Sequence, residues 1–313
     1  ADMKKTLAQM GVTFTHWFSE RWLHESSYLK ETVLLLEAKG YLYKKDGAVW
    51  FKTTLFKDDK DRVLIRENSQ PTYFAADVAY HRHKFSRGYN RLINIWGADH
   101  HGYIKRIKAA VEALGYSSAQ VEIVLGQLVN LFSGGRPVRM SKRTGEMVTL
   151  SELLAEVGTD AARYYFLMRS LDTAVDFDIE LAKSETQDNP VYYVQYAHAR
   201  ICSILRFAAE QGIELNLNTA KVELLQAEAE IELLKQLADF PDLIKRAALA
   251  RAPHRLTTYL QELATAFHTF YHQCRVVTEA KELTQARLAL VWTTAQVIKN
   301  GLNLIGVSAP TKM

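Results

Sequence analysis

Apolar residues recur at helical spacing from Ser26 to Lys39, with Leu29, Val33, Leu35 and Leu36 on one side and Gly40 as a stop. From Tyr41 to Leu55 residue character alternates around Lys45-Asp46-Gly47, a turn signal, so a hairpin is expected. The pattern then predicts a strand over Arg62–Arg66, a helix over Tyr73–Phe85, and an apolar strand over Arg91–Trp96 ending at Gly97. A helix over Ile104–Leu114, closed by Gly115, follows. Strand, glycine loop and helix in succession are the rhythm of a doubly wound α/β sheet, whose ligands gather at strand C-terminal ends. The loop Ser133-Gly134-Gly135-Arg136-Pro137 breaks that rhythm. At Asn189-Pro190, an N-cap residue precedes a proline suited to the first helical position. Beyond it the periodicity is helical throughout, over Val191–Gln211, Glu223–Ala238, Asp242–Ala250, His254–Arg275 and Thr284–Leu304. The chain therefore divides into an α/β part over residues 1–130, a connector over 131–188 and a helical bundle over 189–313.

Composition changes this picture little. A chain of 313 residues, 48% hydrophobic and 24% charged, is an ordinary globular protein of about two domains. No apolar run approaches the roughly 18 residues of a membrane span, so no membrane is expected as partner. No apolar stretch of a signal peptide follows Ala1-Asp2-Met3-Lys4-Lys5. Two cysteines, Cys202 and Cys274, form neither a disulfide framework nor a C-x-x-C pair, which fits a reducing cytoplasm. Charge is distributed unevenly. Ile213 to Asp242 carry seven acids and two bases, whereas Lys245 to Met313 carry nine bases and three acids. A basic final segment suits a polyanion, and equally a solvated helical face.

Four segments carry candidate chemistry. Arg139-Met140-Ser141-Lys142-Arg143-Thr144-Gly145 resembles the KMSKS loop of class I aminoacyl-tRNA synthetases, with Lys142 matching its second lysine and Arg139 standing for its first. Forming an aminoacyl-adenylate expels pyrophosphate, and a loop bearing lysine, hydroxyl and backbone N–H groups can close on the phosphates in that transition state. Taken by itself the segment also reads as a basic surface loop. Trp96-Gly97-Ala98-Asp99-His100-His101-Gly102-Tyr103 sits at an expected strand end, where a carboxylate beside a glycine suits a ribose diol. His100 and His101 suit adenine or an amino acid. A metal group with His81 and His83 is a rival reading, weakened because adjacent histidines rarely point at one ion, and purely structural histidines are another.

In Pro71-Thr72-Tyr73-Phe74-Ala75-Ala76-Asp77, Tyr73 and Asp77 are four apart on a helix. A phenol and a carboxylate suit a guanidinium, held by charge-assisted hydrogen bonds. A packed tyrosine beside a carboxylate near a helix start has the same spacing. Finally, Tyr192, Tyr196 and Arg200 recur at i, i+4 and i+8, and Phe267, Tyr271 and Arg275 repeat that geometry. Aromatics interleaved with arginine hold unstacked bases, although such stripes also form core.

Together these segments, with the final run Gly301 to Met313, resemble arginyl-tRNA synthetases of bacterial type over nearly the whole chain. The resemblance implies the second half of a Rossmann-like class I catalytic domain with an inserted α/β segment over 1–130. The KMSKS loop and connector would span 131–188, and an all-α anticodon-binding domain 189–313. It implies ligation of L-arginine to arginine tRNA with ATP, magnesium arriving with the nucleotide and held mainly by its phosphates. By resemblance, Arg139, Ser141 and Lys142 are catalytic, and Met140, Gly97, Asp99, His100 and His101 meet ATP. Tyr73 and Asp77 meet arginine, and Tyr196, Arg200, Tyr271, Arg275 and Met313 meet the anticodon. No resident metal site is expected. The complete enzyme is expected to be a cytoplasmic monomer.

One departure matters. The family's HIGH-type ATP-gripping motif occurs nowhere in the 313 residues; His24-Glu25-Ser26-Ser27 does not fit it. The chain is accordingly expected to be a truncated portion, inactive alone. The alternative is a non-catalytic tRNA-binding module derived from a class I synthetase. A cysteinyl synthetase is disfavoured, because the metal-binding cysteines of that enzyme are missing.

Overall fold

The computed structural model describes residues 2–138 and 148–313. Two compact units are present: Phe14–Leu128 forms one, and the residues up to Thr13 join Val129–Met313 in the other. Helix α1 (Asp2–Gln9) thus belongs to the unit that carries the C-terminal helices.

The Phe14–Leu128 unit opens with α2 (Glu20–Glu25) and α3 (Tyr28–Ala38). An antiparallel sheet follows, β1 (Leu42–Lys45), β2 (Ala48–Phe51) and β3 (Arg62–Ile65), in that order. Its hairpin closes tightly, with Lys45 opposite Ala48 and both Asp46 and Gly47 at positive φ, as a two-residue turn between twisted strands requires. The hairpin ends at Phe51 rather than at Leu55. Residues Thr53–Phe56 wind into a 3₁₀ turn, because the Thr53 hydroxyl donates to the Lys60 carbonyl at 2.7 Å and the Thr54 hydroxyl to Asp61 at 2.8 Å.

Helix α4 (Tyr73–Ser86) starts at Thr72, whose hydroxyl accepts from the Ala75 N–H. Strands β4 (Leu92–Gly97) and β5 (Val121–Gly126) pair in parallel from Leu92↔Val121 to Gly97↔Gly126. Parallel strands need a crossover, and α5 (Ile104–Leu114) provides it. Leu36, Phe51, Leu64, Ile107 and Val111 are fully buried in the core of this unit. Each such side chain contributes about 1.5–3 kcal/mol relative to exposure.

In the other unit, β6 (Val129–Ser133) turns through Gly134-Gly135 into antiparallel β7 (Arg136–Pro137). Helix α6 (Leu150–Val157) begins with a capping box between Thr149 and Glu152, and α7 (Thr159–Phe166) follows Gly158. Strand β8 (Val175–Asp178) then pairs in parallel with β6, and α8 (Ile179–Lys183) leaves it. The long helices are α9 (Pro190–Glu210), α10 (Glu228–Ala250), α11 (His254–Gln273) and α12 (Lys281–Leu304).

Three local expectations are corrected. The two helices read over 223–238 and 242–250 are one, since α10 runs through Pro241. Proline removes one intrahelical bond, but Phe240 stacks on Tyr259 of α11 and the Tyr259 hydroxyl donates to the Gln236 carbonyl at 2.8 Å, holding the axis together. Asn189 stands at the N-cap with Pro190 after it, yet its side chain does not cap the helix. Its amide donates to the carbonyls of Ala182 and Ser184, and its oxygen accepts from the Tyr165 hydroxyl, so it anchors α9 to the connector. Phe267, read as part of an aromatic stripe, has 0% exposure and packs in the core with Tyr164, Phe177 and Phe270. The architecture is a mixed α/β portion followed by a helix-rich region.

Candidate functional sites

In the Phe14–Leu128 unit the first turns of α4 carry two candidates on one helix face. The Tyr73 ring is 79% exposed, whereas Asp77, one turn on, is half-buried. The Asp77 carboxylate meets the Tyr103 hydroxyl. Burial pushes the acid above the usual carboxylate range, while the Tyr103 hydrogen bond and the charges of Lys84 and His100 pull the other way. The motif spacing alone does not single out Tyr103. Its signal was its place in the same motif as Asp99, one hydroxyl at the end of the run.

Behind Asp77 lies a chain of polar contacts. Lys84 Nζ donates to Asn94 Oδ1 at 2.8 Å, and the Asn94 amide donates to His81 Nε2 at 2.9 Å. His81 Nδ1 in turn donates to the Asp77 carbonyl oxygen at 2.8 Å. The partners assign the tautomer, because Asn94 has only its NH₂ left to offer the ring. Burial drives the His81 pKa down to about 4 and that of Lys84 to about 8. His83 lies among aromatic rings, 4.9 Å from Phe18 and 5.2 Å from Trp22. Both histidines are thus used in packing, and among the described residues no group of three or more possible ligands is placed to hold a metal.

Gly97 ends β4 and precedes the 3₁₀ turn Ala98–Tyr103. A Cβ at Gly97 would lie 2.6 Å from Asp99 Oδ1, so a side chain there would make that exposed carboxylate shift. Asp99, His100 and His101 are exposed, with His100 Nε2 3.7 Å from Asp99. Arg139, Met140, Ser141 and Lys142 lie outside the described residues.

In the other unit, Tyr196, Arg200, Tyr271, Arg275 and Met313 line one groove of about 760 Å³. Arg200 organises it. Its Nη2 donates to the Tyr196 hydroxyl at 2.9 Å, and its guanidinium sits over the rings of both Tyr196 and Tyr271. Tyr192 stacks on Tyr196 at 8° between planes, and His268 stacks on it as well. Burial and the Arg200 charge press the His268 pKa down to about 4, so the ring is neutral at pH 7. Arg275 follows the end of α11, and its carbonyl accepts from Arg287, which also pairs with the buried Glu230. Phe207 completes the apolar wall; it lies two turns beyond Arg200 on α9 and extends the stripe of Tyr192, Tyr196 and Arg200. The groove offers ring faces, two guanidinium groups and an apolar floor, a set suited to unstacked bases and their phosphates.

Comparison with known proteins gives the context. Residues 1–172 match the family described as tRNA synthetases class I (R), catalytic domain, and residues 194–313 match the DALR anticodon binding domain. The arginine–tRNA ligase of Moorella thermoacetica is 54% identical over 312 residues, which is 99% of this chain and 56% of that protein. That of Carboxydothermus hydrogenoformans is 54% identical over 313 residues, again 56% of its length. The chain therefore spans about half the length of the curated relatives it matches. Among solved structures, a Campylobacter jejuni protein described as an arginyl-tRNA synthetase superposes with a TM-score of 0.87 at 37% identity. That match covers 99% of this chain and 67% of the other. With a catalytic-domain match over more than half its residues and a relative this similar over two thirds of its length, the chain belongs to the arginyl group of the class I tRNA synthetases.

Proposed function

We propose that this chain is part of an enzyme that joins L-arginine to its tRNA. In the first step an arginine carboxylate oxygen attacks the α-phosphorus of ATP, and the bond to the β-phosphate breaks to release pyrophosphate. In the second a ribose hydroxyl of the tRNA attacks the arginyl carbonyl and AMP leaves. The single observation that carries the reading is the groove, where Arg200 bridges two tyrosines beside Arg275 and Met313. Anticodon bases would stack on Tyr196 and Tyr271 there.

In the Phe14–Leu128 unit, Tyr73 and Asp77 would hold the arginine guanidinium. A cation at Asp77 would favour the ionised carboxylate, offsetting the burial that raises its pKa. Gly97, Asp99, His100 and His101 would meet ATP at the β4 end, and Arg139, Met140, Ser141 and Lys142 would close on its phosphates. Magnesium would enter with ATP, held by the phosphates. No described helix is long and apolar enough to cross a membrane. The proposed place of work is the cytoplasm, where tRNA is charged, and the proposed state of the complete enzyme is a monomer.

A binding titration of the 313-residue chain with arginine tRNA and with a non-cognate tRNA tests this. Tighter binding of the arginine tRNA is expected. Equal affinity for both would overturn the assignment of the groove to the anticodon. With no HIGH-type motif in the sequence, the chain alone should not exchange pyrophosphate into ATP; exchange above background would contradict that part.

A further inference from the structure

After α12, Ile305 and Val307 are buried and Ala309 packs at the edge of the core, but the course beyond them to the groove rests mainly on polar contacts. Ser308, Thr311, Lys312 and Met313 are exposed. Two sources of the polar contacts lie on α7, outside the groove. The Asp160 carboxylate accepts the Ser308 N–H at 3.1 Å and the Ser308 hydroxyl, and it accepts Gln195 Nε2 at 2.9 Å. Gln195, 9% exposed on α9, also donates to the Ser308 carbonyl at 3.0 Å. Three segments thus meet on one carboxylate. One turn along α7, Arg163 Nε donates to the Ile305 carbonyl at 2.7 Å. Gly306 there has φ +69°, and a Cβ on it would fall 2.4 Å from Arg163 Nε. Farther on, His198 Nδ1 donates to the Pro310 carbonyl at 2.8 Å, and Arg206 donates to that of Thr311 at 3.0 Å. Both lie on α9, the helix that carries Tyr196 and Arg200.

We propose that Asp160 is a positioning residue for tRNA binding: by clamping Ser308 and Gln195 it sets the course of the last residues and so delivers Met313 to the groove. The proposal rests on the reading of that groove as the tRNA site. Asp160 touches no ligand itself. A charge-assisted hydrogen bond holds each end of the clamp, and such bonds are the strong ones. Asp160→Asn keeps the shape but turns an NH₂ toward the Gln195 NH₂ or the Ser308 N–H, breaking one contact.

The test uses the 313-residue chain and arginine tRNA. Asp160→Asn and removal of Thr311-Lys312-Met313 should each weaken binding about tenfold, the loss of one good contact. Combined, they should weaken it no more than either alone, since both act through the same tail. A second readout needs no RNA. In chain labelled at methionine methyls, the Met313 signal should carry ring-current displacement from Tyr196 and Tyr271 and should shift toward its free-peptide position in Asp160→Asn. Wild-type affinity in Asp160→Asn, additive losses, or an unmoved Met313 signal would each overturn the proposal. Should Asp160→Asn fail to fold, Ser308→Ala at an exposed position takes its place, with an expected loss of about threefold. Should Tyr196→Ala also leave tRNA binding untouched, the groove reading falls, and the methyl signal still decides what Asp160 does.

Discussion

The Arg200 guanidinium lies 4.9 Å from the ring centroid of Tyr196 on α9 and 4.9 Å from that of Tyr271 on α11, so one cation bridges two helices. Tyr196 is held in addition by Tyr192 and His268, which leaves a preformed, partly exposed stack. Stacking on one aromatic contributes about 1–3 kcal/mol per base. Tyr196→Ala should weaken arginine tRNA binding by that amount and narrow the preference over a non-cognate tRNA, with a small change in Tm. A binding titration and a thermal melt on the same variant check it. Intact binding with a sharply lower Tm would make the tyrosine core.

Affinity should also fall steeply with salt. Phosphate contacts release counterions, and each contact to a single strand adds about 0.7 to the slope of log K against log salt. Arg275 is exposed at the groove. Arg275→Gln should flatten the slope by roughly that one contact. An unchanged slope across a salt series would remove Arg275 from phosphate binding.

Asp77→Asn, made in a complete enzyme, should raise the arginine KM roughly tenfold to a hundredfold, a charge-assisted hydrogen bond being about 1.5–3 kcal/mol. The KM for ATP should change far less. Steady-state kinetics with each substrate varied decide it; an unchanged arginine KM takes Asp77 out of the pocket.

His81 makes the Phe14–Leu128 unit sensitive to acid. Its pKa is about 4 folded and 6.5 unfolded, lowered first by burial and then by Lys84. The unfolded chain therefore binds the proton more readily. The stability tied to the neutral ring is full above pH 6.5 and is lost as pH falls through 4. Its size is on the order of 3 kcal/mol. Denaturant melts at a series of pH values should show the decline, and His81→Gln should flatten it. A parallel decline in the variant would assign the effect to other groups.

Lys142→Ala in a complete enzyme should lower kcat for arginine activation by about 10² or more, with less effect on ATP affinity. The reason is that an ammonium on a phosphate-closing loop acts chiefly where charge develops. If ATP binding alone weakens while kcat holds, Lys142 is a ground-state anchor.

Much of the local structure was legible because it rests on local causes. Asp46-Gly47 as turn, Gly115 at the end of α5 and Pro190 at the start of α9 act within a few residues. The motif spacings that placed Tyr196 with Arg200, and Tyr73 with Asp77, are also local, one helical turn each. Where the reading failed, distant neighbours had decided. Pro241 does not break α10 because Phe240 and the neighbouring turn pack against Tyr259 of another helix. Asn189 abandons the capping role for carbonyls of Ala182 and Ser184 that the connector brings back to it.

The sequence by itself determined the α/β-then-helical order, the family and the residue types available for chemistry, since periodicity, turn residues and motifs are written in short windows. Only the tertiary structure decided which of them meet. Phe267 and Tyr271 are one turn apart, yet one is core and the other lines the groove, because burial depends on what α11 packs against. Tyr103 reaches Asp77, and Asp160 reaches Ser308 across 148 positions of chain. The residues up to Thr13 join the unit of the C-terminal helices, where Arg163 donates to the Met10 carbonyl at 2.8 Å. Such contacts carry no periodic signal: each depends on the closing of a long loop, whose entropy is offset only by the packing of the whole unit.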